Sequence, residues 1–265
     1  MKRRGFLLAA AATTLAPGIA RAGMSGGAGY FAKMAAFDSS HGGDIWLTGG
    51  DRRLLAQVVA RLDRVQSTVG FGNFGIIGFD EMLRIARGYS RVGAFSRTEL
   101  EFMERVFFAE ASSLGFYGRK VTAHLTDTPK ARHIVRVPGS PARLFDGAPL
   151  ATFRRMRERV GPELVLTSGV RGVVKQFHLF LRKAERSGGN LSLASRSLAP
   201  PGYSYHGVGD FDVGQRGLGR SNFTGAFADT RVYARLVDLG YVRLRYPAQN
   251  LLGVRYEPWH IRVVG

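Results

Sequence analysis

Apolar residues along this chain recur first at helical spacing. Leu54, Leu55, Val58, Val59, Leu62 and Val65 mark one amphipathic helix, followed by a Gly-rich turn through Val69-Gly70-Phe71-Gly72. Met82, Leu83 and Ala86 mark a second, short helix over 79–87. Ser96-Arg97-Thr98-Glu99 fits a capping box ahead of a third, whose face is Leu100, Met103, Val106 and Phe107 and which should stop near Gly115. Residues 23–52, rich in Gly, Ser and Asp, read as a loosely ordered lead-in. In the second half helices are expected around Leu150–Val160, Val173–Ala184 and Val232–Val237, the last ended by Gly240. Leu164-Val165-Leu166 is a short apolar run bounded by turn residues, hence a buried strand. Alternation predicts further strands at Val242, Leu244 and Tyr246, at Val254 and Tyr256, and at Ile261 and Val263. A strand-like stretch lies between His124 and His133. Helices and strands without a βαβ rhythm favour an α+β fold.

Composition narrows the chemistry. The 265 residues include no cysteine, which excludes a disulfide scaffold, a Cys-ligated metal module and a thiol nucleophile. No run of 18 apolar residues occurs, so a conventional membrane span is not expected. The chain opens Met1-Lys2-Arg3-Arg4-Gly5-Phe6-Leu7-Leu8, continues through a short apolar stretch and reaches Ala20-Arg21-Ala22. A charged start, an apolar segment and a small-x-small site read as an export signal over residues 1–22, of twin-arginine or Sec type, and place the protein in the periplasm. The formal net charge is +18. No nucleic-acid-binding motif accompanies it, and for an exported protein the polyanions at hand are those of the cell envelope.

The six histidines are His41, His124, His133, His178, His206 and His260. His206 lies in Ser204-Tyr205-His206-Gly207-Val208-Gly209-Asp210-Phe211-Asp212, and His260 closes Glu257-Pro258-Trp259-His260. A hydrolytic zinc site needs three nitrogen or carboxylate ligands, an open position for water, and a carboxylate that takes a proton without binding the metal. Two His, an Asp and a Glu supply such a set. Arg171 sits in Ser168-Gly169-Val170-Arg171-Gly172, just past the expected strand, with Gln176 five residues on.

The order Arg…Ser-x-His-x-x-Gly…Asp…Glu-x-Trp-His resembles the D-alanyl-D-alanine carboxypeptidases of the VanY type, peptidase family M15, over residues 148–265. The resemblance implies a small antiparallel sheet flanked by helices. It also implies a Zn²⁺ held by His206, Asp212 and His260, Glu257 as general base and then acid, and Arg171 stabilising the oxyanion of the tetrahedral intermediate. Ser204 and Gln176 match positions that shape the substrate pocket. Peptidoglycan stem peptides are the implied substrates. The chain then divides into a signal (1–22), a mostly helical region (23–147) and a catalytic domain (148–265).

One departure matters. The family places its metal Asp seven residues after the first His, whereas Asp212 lies six after His206 and Asp210 four. In extended backbone both would point to one side. Asp212 is favoured because Val213-Gly214 resembles the apolar continuation of the family strand. His41, His124, His133 and His178 have no ligand spacing, and Trp259, Tyr203, Tyr205 and Tyr256 fit packing as well as they fit a cleft. The alternative function is a non-catalytic, zinc-containing wall-binding protein, against which Glu257 and Arg171 argue because neither is needed to hold a metal.

Overall fold

The computed structural model describes residues 27–263, so the export-signal reading of residues 1–22 lies outside it. The N-terminal part is helical: α1 (Gly27–Ala35), α2 (Gly49–Val69), the single turn α3 (Phe71–Phe74), α4 (Phe79–Gly88) and α5 (Arg97–Phe108). The capping box forms, with the Ser96 hydroxyl accepting from the Glu99 amide and the Glu99 carboxylate accepting from the Ser96 amide. A β-hairpin follows, β1 (Ile134–Arg136) against β2 (Arg143–Phe145). Then come α6 (Ala148–Val160), β3 (Leu164–Ser168), α7 (Val173–Arg186), α8 (Leu191–Ser195), β4 (Phe211–Gln215), α9 (Arg231–Asp238) and β5 (His260–Ile261). The sheet β3–β4–β5 is antiparallel, with β4 in the centre. The fold is α+β, and among the described residues no helix is long and apolar enough to cross a membrane.

Helix α7 serves both halves. Val174, Phe177, Phe180, Leu181 and Ala184 are buried in one core with α2, α4 and α5. Each large apolar side chain taken out of water there contributes about 1.5–3 kcal/mol. The neighbouring stripe of α7, Lys175, Leu179 and Lys183, faces a cleft instead. His178 is buried, and its Nε2 donates to Asp63 of α2 at 2.6 Å, where Arg182 adds a second contact at 2.8 Å. A second core joins the hairpin, α6, the three-stranded sheet and α9.

Several sequence expectations change. Residues 36–48 are tied down by polar contacts rather than loosely ordered. Arg196, 1% exposed, donates to both carboxylate oxygens of Asp44 (2.8 and 2.9 Å) and to the Phe37 and Ser39 carbonyls. Burial works against the Asp44 charge, but hydrogen bonds from Arg196, Asn190 and the His41 amide hold its carboxyl well below the usual range. Asp44→Ala strands a buried guanidinium and should cost about 3–5 kcal/mol at pH 7. A depressed carboxyl stabilises above its unfolded pKa, so that difference should narrow as pH falls below about 4. Denaturant midpoints of both proteins across pH check this.

The stretch between His124 and His133 is irregular, and the strand starts only at Ile134. Residues 242–246 and 254–256 are not strands. Leu244 makes a single bridge to Ile261, while the Glu257 amide bonds the Tyr246 carbonyl and the Arg255 amide bonds the Arg196 carbonyl. Alternation there reports a buried side, not a ladder partner. Strand β5 ends at Ile261, short of Val263.

Candidate metal and active site

The central strand assembles the site. Asp212 on β4 pairs in register with His260 on β5 and with Ser168 on β3. Cross-strand partners put their side chains on one face, which brings Asp212 and His260 together. The β3–β4 register shifts between Leu166 and Ser168, a bulge that turns the end of β3 towards the cleft. Gly169 follows. A Cβ there would lie 2.0 Å from the Arg143 carbonyl oxygen, so only glycine fits. The Gly169 carbonyl accepts the Nδ1–H of His206 at 2.9 Å, which leaves Nε2 facing Asp212 Oδ1 at 3.3 Å. Gly209, at φ 121°, makes the turn that leads the chain from His206 into β4.

His206, Asp212 and His260 each offer a ligand atom, all within 4.8 Å of one another, and all three residues are buried. Among the described residues Asp212 Oδ1 is buried without a hydrogen-bond donor, and it lies 3.6 Å from His260 Nδ1. Two imidazoles and a carboxylate converging on one point fit a divalent zinc-like ion with an open side. Burial works against the Asp212 charge, but His206, His260 and Arg171 hold its pKa down. His206 is pushed down by burial and then by Arg171. Burial also opposes the His260 proton, yet hydrogen bonds to Asp210 and Glu257, with the Asp212 charge, raise it to about 9.

Asp210 stands behind His260. Its Oδ2 is 3.2 Å from His260 Nε2, while Arg245 clasps both its oxygens at 2.7 and 3.1 Å and the Val263 amide adds a third donor. The two aspartates thus reach the same ring from opposite nitrogens, Asp212 on the cluster side and Asp210 on the outside. An outer carboxylate of this kind fixes the ring tautomer and orientation. Asp210→Asn should weaken metal affinity about 10–100-fold without abolishing it, measured by competition with a chromogenic chelator.

Glu257 is 7% exposed, with Oε2 3.2 Å from His260 Nδ1. Arg171 Nη2 donates to Ser168 Oγ at 3.1 Å and makes a long contact of 3.5 Å to Asp212 Oδ2. Ser204, Arg171, Glu257 and the three cluster residues all line one cleft of about 610 Å³. Gln176 does not line it, and so departs from the pocket role that the resemblance implies. Its amide nitrogen donates to the Ala199 carbonyl and its oxygen meets Arg171 at 3.4 Å, so it holds Arg171 from behind. Trp259 is 3% exposed and lines the cleft under Arg255. Tyr203, Tyr205 and Tyr256 do not line it, while Tyr246, edge-on to the His260 ring at 5.0 Å, does.

Sequence reasoning missed Tyr246, Thr167, Ser197, Lys175, Lys183 and Arg255, as well as the two aromatic walls Phe37 and Phe71 from the N-terminal region. None belongs to a spaced motif. The α7 residues carry the one available signal, because Lys175, Leu179 and Lys183 recur every four positions beside the apolar stripe.

These features place a buried His–Asp–His group able to hold a metal ion in the wall of a cleft. Residues 148–265 match the family described as VanY: D-alanyl-D-alanine carboxypeptidase. No curated protein matches the chain. Among solved structures it is similar to the LdcB LD-carboxypeptidase, described for its peptidoglycan recognition (26% identity, 46% of this chain, 60% of that chain, TM-score 0.39). It is also similar to VanYB in complex with D-alanine-D-alanine (25% identity, 50% of this chain, 77% of that one, TM-score 0.40). A third likeness is to a vancomycin-resistance D,D-pentapeptidase VanY from a VanB-type cassette in complex with Zn(II) (24% identity, 57% and 88% coverage, TM-score 0.39). The chain thus spans three fifths of the LdcB chain.

Proposed function

We propose that this protein is a zinc-dependent peptidase that cleaves peptidoglycan stem peptides, with release of a terminal D-alanine as its principal reaction. The observation that carries the reading is the convergence of His206, Asp212 and His260 in one cleft with Glu257 and Arg171. His206 through Nε2, His260 through Nδ1 and Asp212 would hold the ion. When bound, zinc supplies Lewis acidity and makes hydroxide available near neutral pH. Glu257, beside His260 but on the cleft side, takes a proton from the attacking water and passes it to the departing amine. Arg171, braced by Ser168 and Gln176, places a fixed positive charge where the carbonyl oxygen becomes an oxyanion. Ser204 offers a hydroxyl to the peptide from the cleft wall. The substrate lies outside the cytoplasm, where residues 1–22 would direct the chain.

The described part of the region 23–147 acts in this reading as a supporting layer rather than as a separate binding module, because α2, α4 and α5 share a core with α7. A wall-binding role without catalysis would leave Glu257 and Arg171 at the cluster without a task. Purified muropeptides incubated with the protein, with and without a zinc chelator, and followed by mass spectrometry, test the proposal. Chelator-sensitive loss of one alanine mass is the expected result. Unchanged muropeptides at full zinc occupancy would overturn it.

A further inference from the structure

Six buried side-chain polar atoms among the described residues have no hydrogen-bond partner. Four of them, Thr167 Oγ1, Ser197 Oγ, Asp212 Oδ1 and Arg255 Nε, belong to residues lining the cleft. Buried polar groups are otherwise almost always paired, so this concentration marks where a polar ligand completes the structure. A metal ion at the cluster would account for Asp212 but not for Ser197 or Arg255.

Arg255 is held rigidly. Its guanidinium lies between the rings of Phe37 (4.7 Å) and Trp259 (4.8 Å), and Nη2 donates to the Phe223 carbonyl at 2.9 Å. Of its five N–H donors that is the one hydrogen bond made among the described residues, and Nε lies 4.0 Å from Glu257 Oε1. The Arg255 amide bonds the Arg196 carbonyl at 2.9 Å, which brings Ser197 alongside. Lys183 enters from α7, lining the same cleft. Its pKa is pushed down by burial and next by the Arg255 charge, with the exposed Asp38 pulling the other way. Two cations and a hydroxyl from three separate elements therefore face one space, next to the proposed general base.

We propose that Lys183, Ser197 and Arg255 form a carboxylate-binding subsite, so that the cleft selects peptides presenting a free carboxylate to it. The proposal rests on the peptidase reading for the peptide nature of the occupant. The Arg255 guanidinium keeps unpaired N–H donors that match a carboxylate, and the Ser197 hydroxyl and Lys183 ammonium supply further donors. None of the three is needed for the metal or for the proton transfers. The subsite lines the same cleft as the metal cluster, so the carboxylate it takes is either the peptide's C-terminal one or one on a side chain.

The test uses zinc-loaded Glu257→Gln protein and calorimetry, so that binding is read without turnover. The probe is a synthetic pentapeptide ending in D-alanyl-D-alanine with a diamino-diacid at its third position. Its two comparators carry an amide in place of the terminal or of the third-residue side-chain carboxylate. One amidation should weaken binding about tenfold or more. Adding Arg255→Gln or Lys183→Gln should weaken the free peptide similarly but cost nothing further with that amidated peptide. The peptide showing this non-additivity identifies which carboxylate is held. Ser197→Ala, which changes no charge, repeats the cycle if Arg255→Gln fails to fold.

Equal affinity for all three peptides, no binding of the free peptide, or variants that weaken free and amidated peptides alike would overturn the subsite. Wild-type turnover of the free peptide, run in parallel, separates the two claims. Non-additive binding without hydrolysis removes the peptidase reading and keeps the subsite. Hydrolysis without non-additivity removes the subsite alone.

Discussion

Glu257→Gln is expected to lower turnover of a stem peptide by about 10²-fold or more while zinc content and fold stay as they are. The amide is nearly isosteric and keeps the contact to His260 Nδ1 at 3.2 Å, so the cluster geometry has no reason to change. What disappears is a group able to accept a proton from water and return it to the leaving nitrogen. Pro258 prepares this arrangement, because a residue before proline is biased to extended backbone and a helix is disfavoured. The Glu257 amide bonds the Tyr246 carbonyl and the His260 amide bonds the Glu257 carbonyl, a tight turn that sets the carboxylate beside His260. Single-turnover kinetics with metal analysis on the same sample check the result. Full activity with zinc bound would place the base elsewhere.

The second large effect concerns the metal itself. His206→Ala and His260→Ala should each take zinc from about one per chain to a small residual fraction, since a hydrolytic site has only three protein ligands. Asp212→Ala should do the same, whereas Asp210→Ala should leave a weakened but measurable site. The two aspartates differ in what they face: among the described residues Asp212 Oδ1 has no hydrogen-bond donor, while Asp210 is engaged by Arg245, His260 and the Val263 amide. Elemental analysis of dialysed variants, paired with far-UV circular dichroism, separates ligand loss from misfolding. Zinc retained in His206→Ala and His260→Ala would sink the assignment, and loss in Asp210→Ala alone would exchange the roles of the two aspartates.

Local chemistry was readable where it is written locally. The Ser96–Glu99 box needs only four consecutive residues, and the faces of α2, α5 and α7 are set by a periodic boundary between core and solvent. The motifs around His206 and His260 carry the cluster because β4 and β5 align in register. The choice between Asp210 and Asp212 was not readable from parity, since both do lie towards His260 and only the ring's two nitrogens tell them apart. The hairpin of β1 and β2 is three residues per strand, too short for a pattern. Residues 36–48 fold through a polar latch on Arg196, which leaves no hydrophobic period. Arg255, Ser197 and Lys183 meet only because three distant segments pack together.

The double use of α7 has a consequence for how the protein comes apart. One stripe of that helix is core for α2, α4 and α5, and the next is cleft wall. The helical region and the candidate site therefore share one packed unit and are expected to melt together. Denaturation is expected to give a single transition in which helix signal and bound zinc are lost together. A core lesion far from the cleft, such as Leu62→Ala, then lowers apparent metal affinity simply by depleting the folded population.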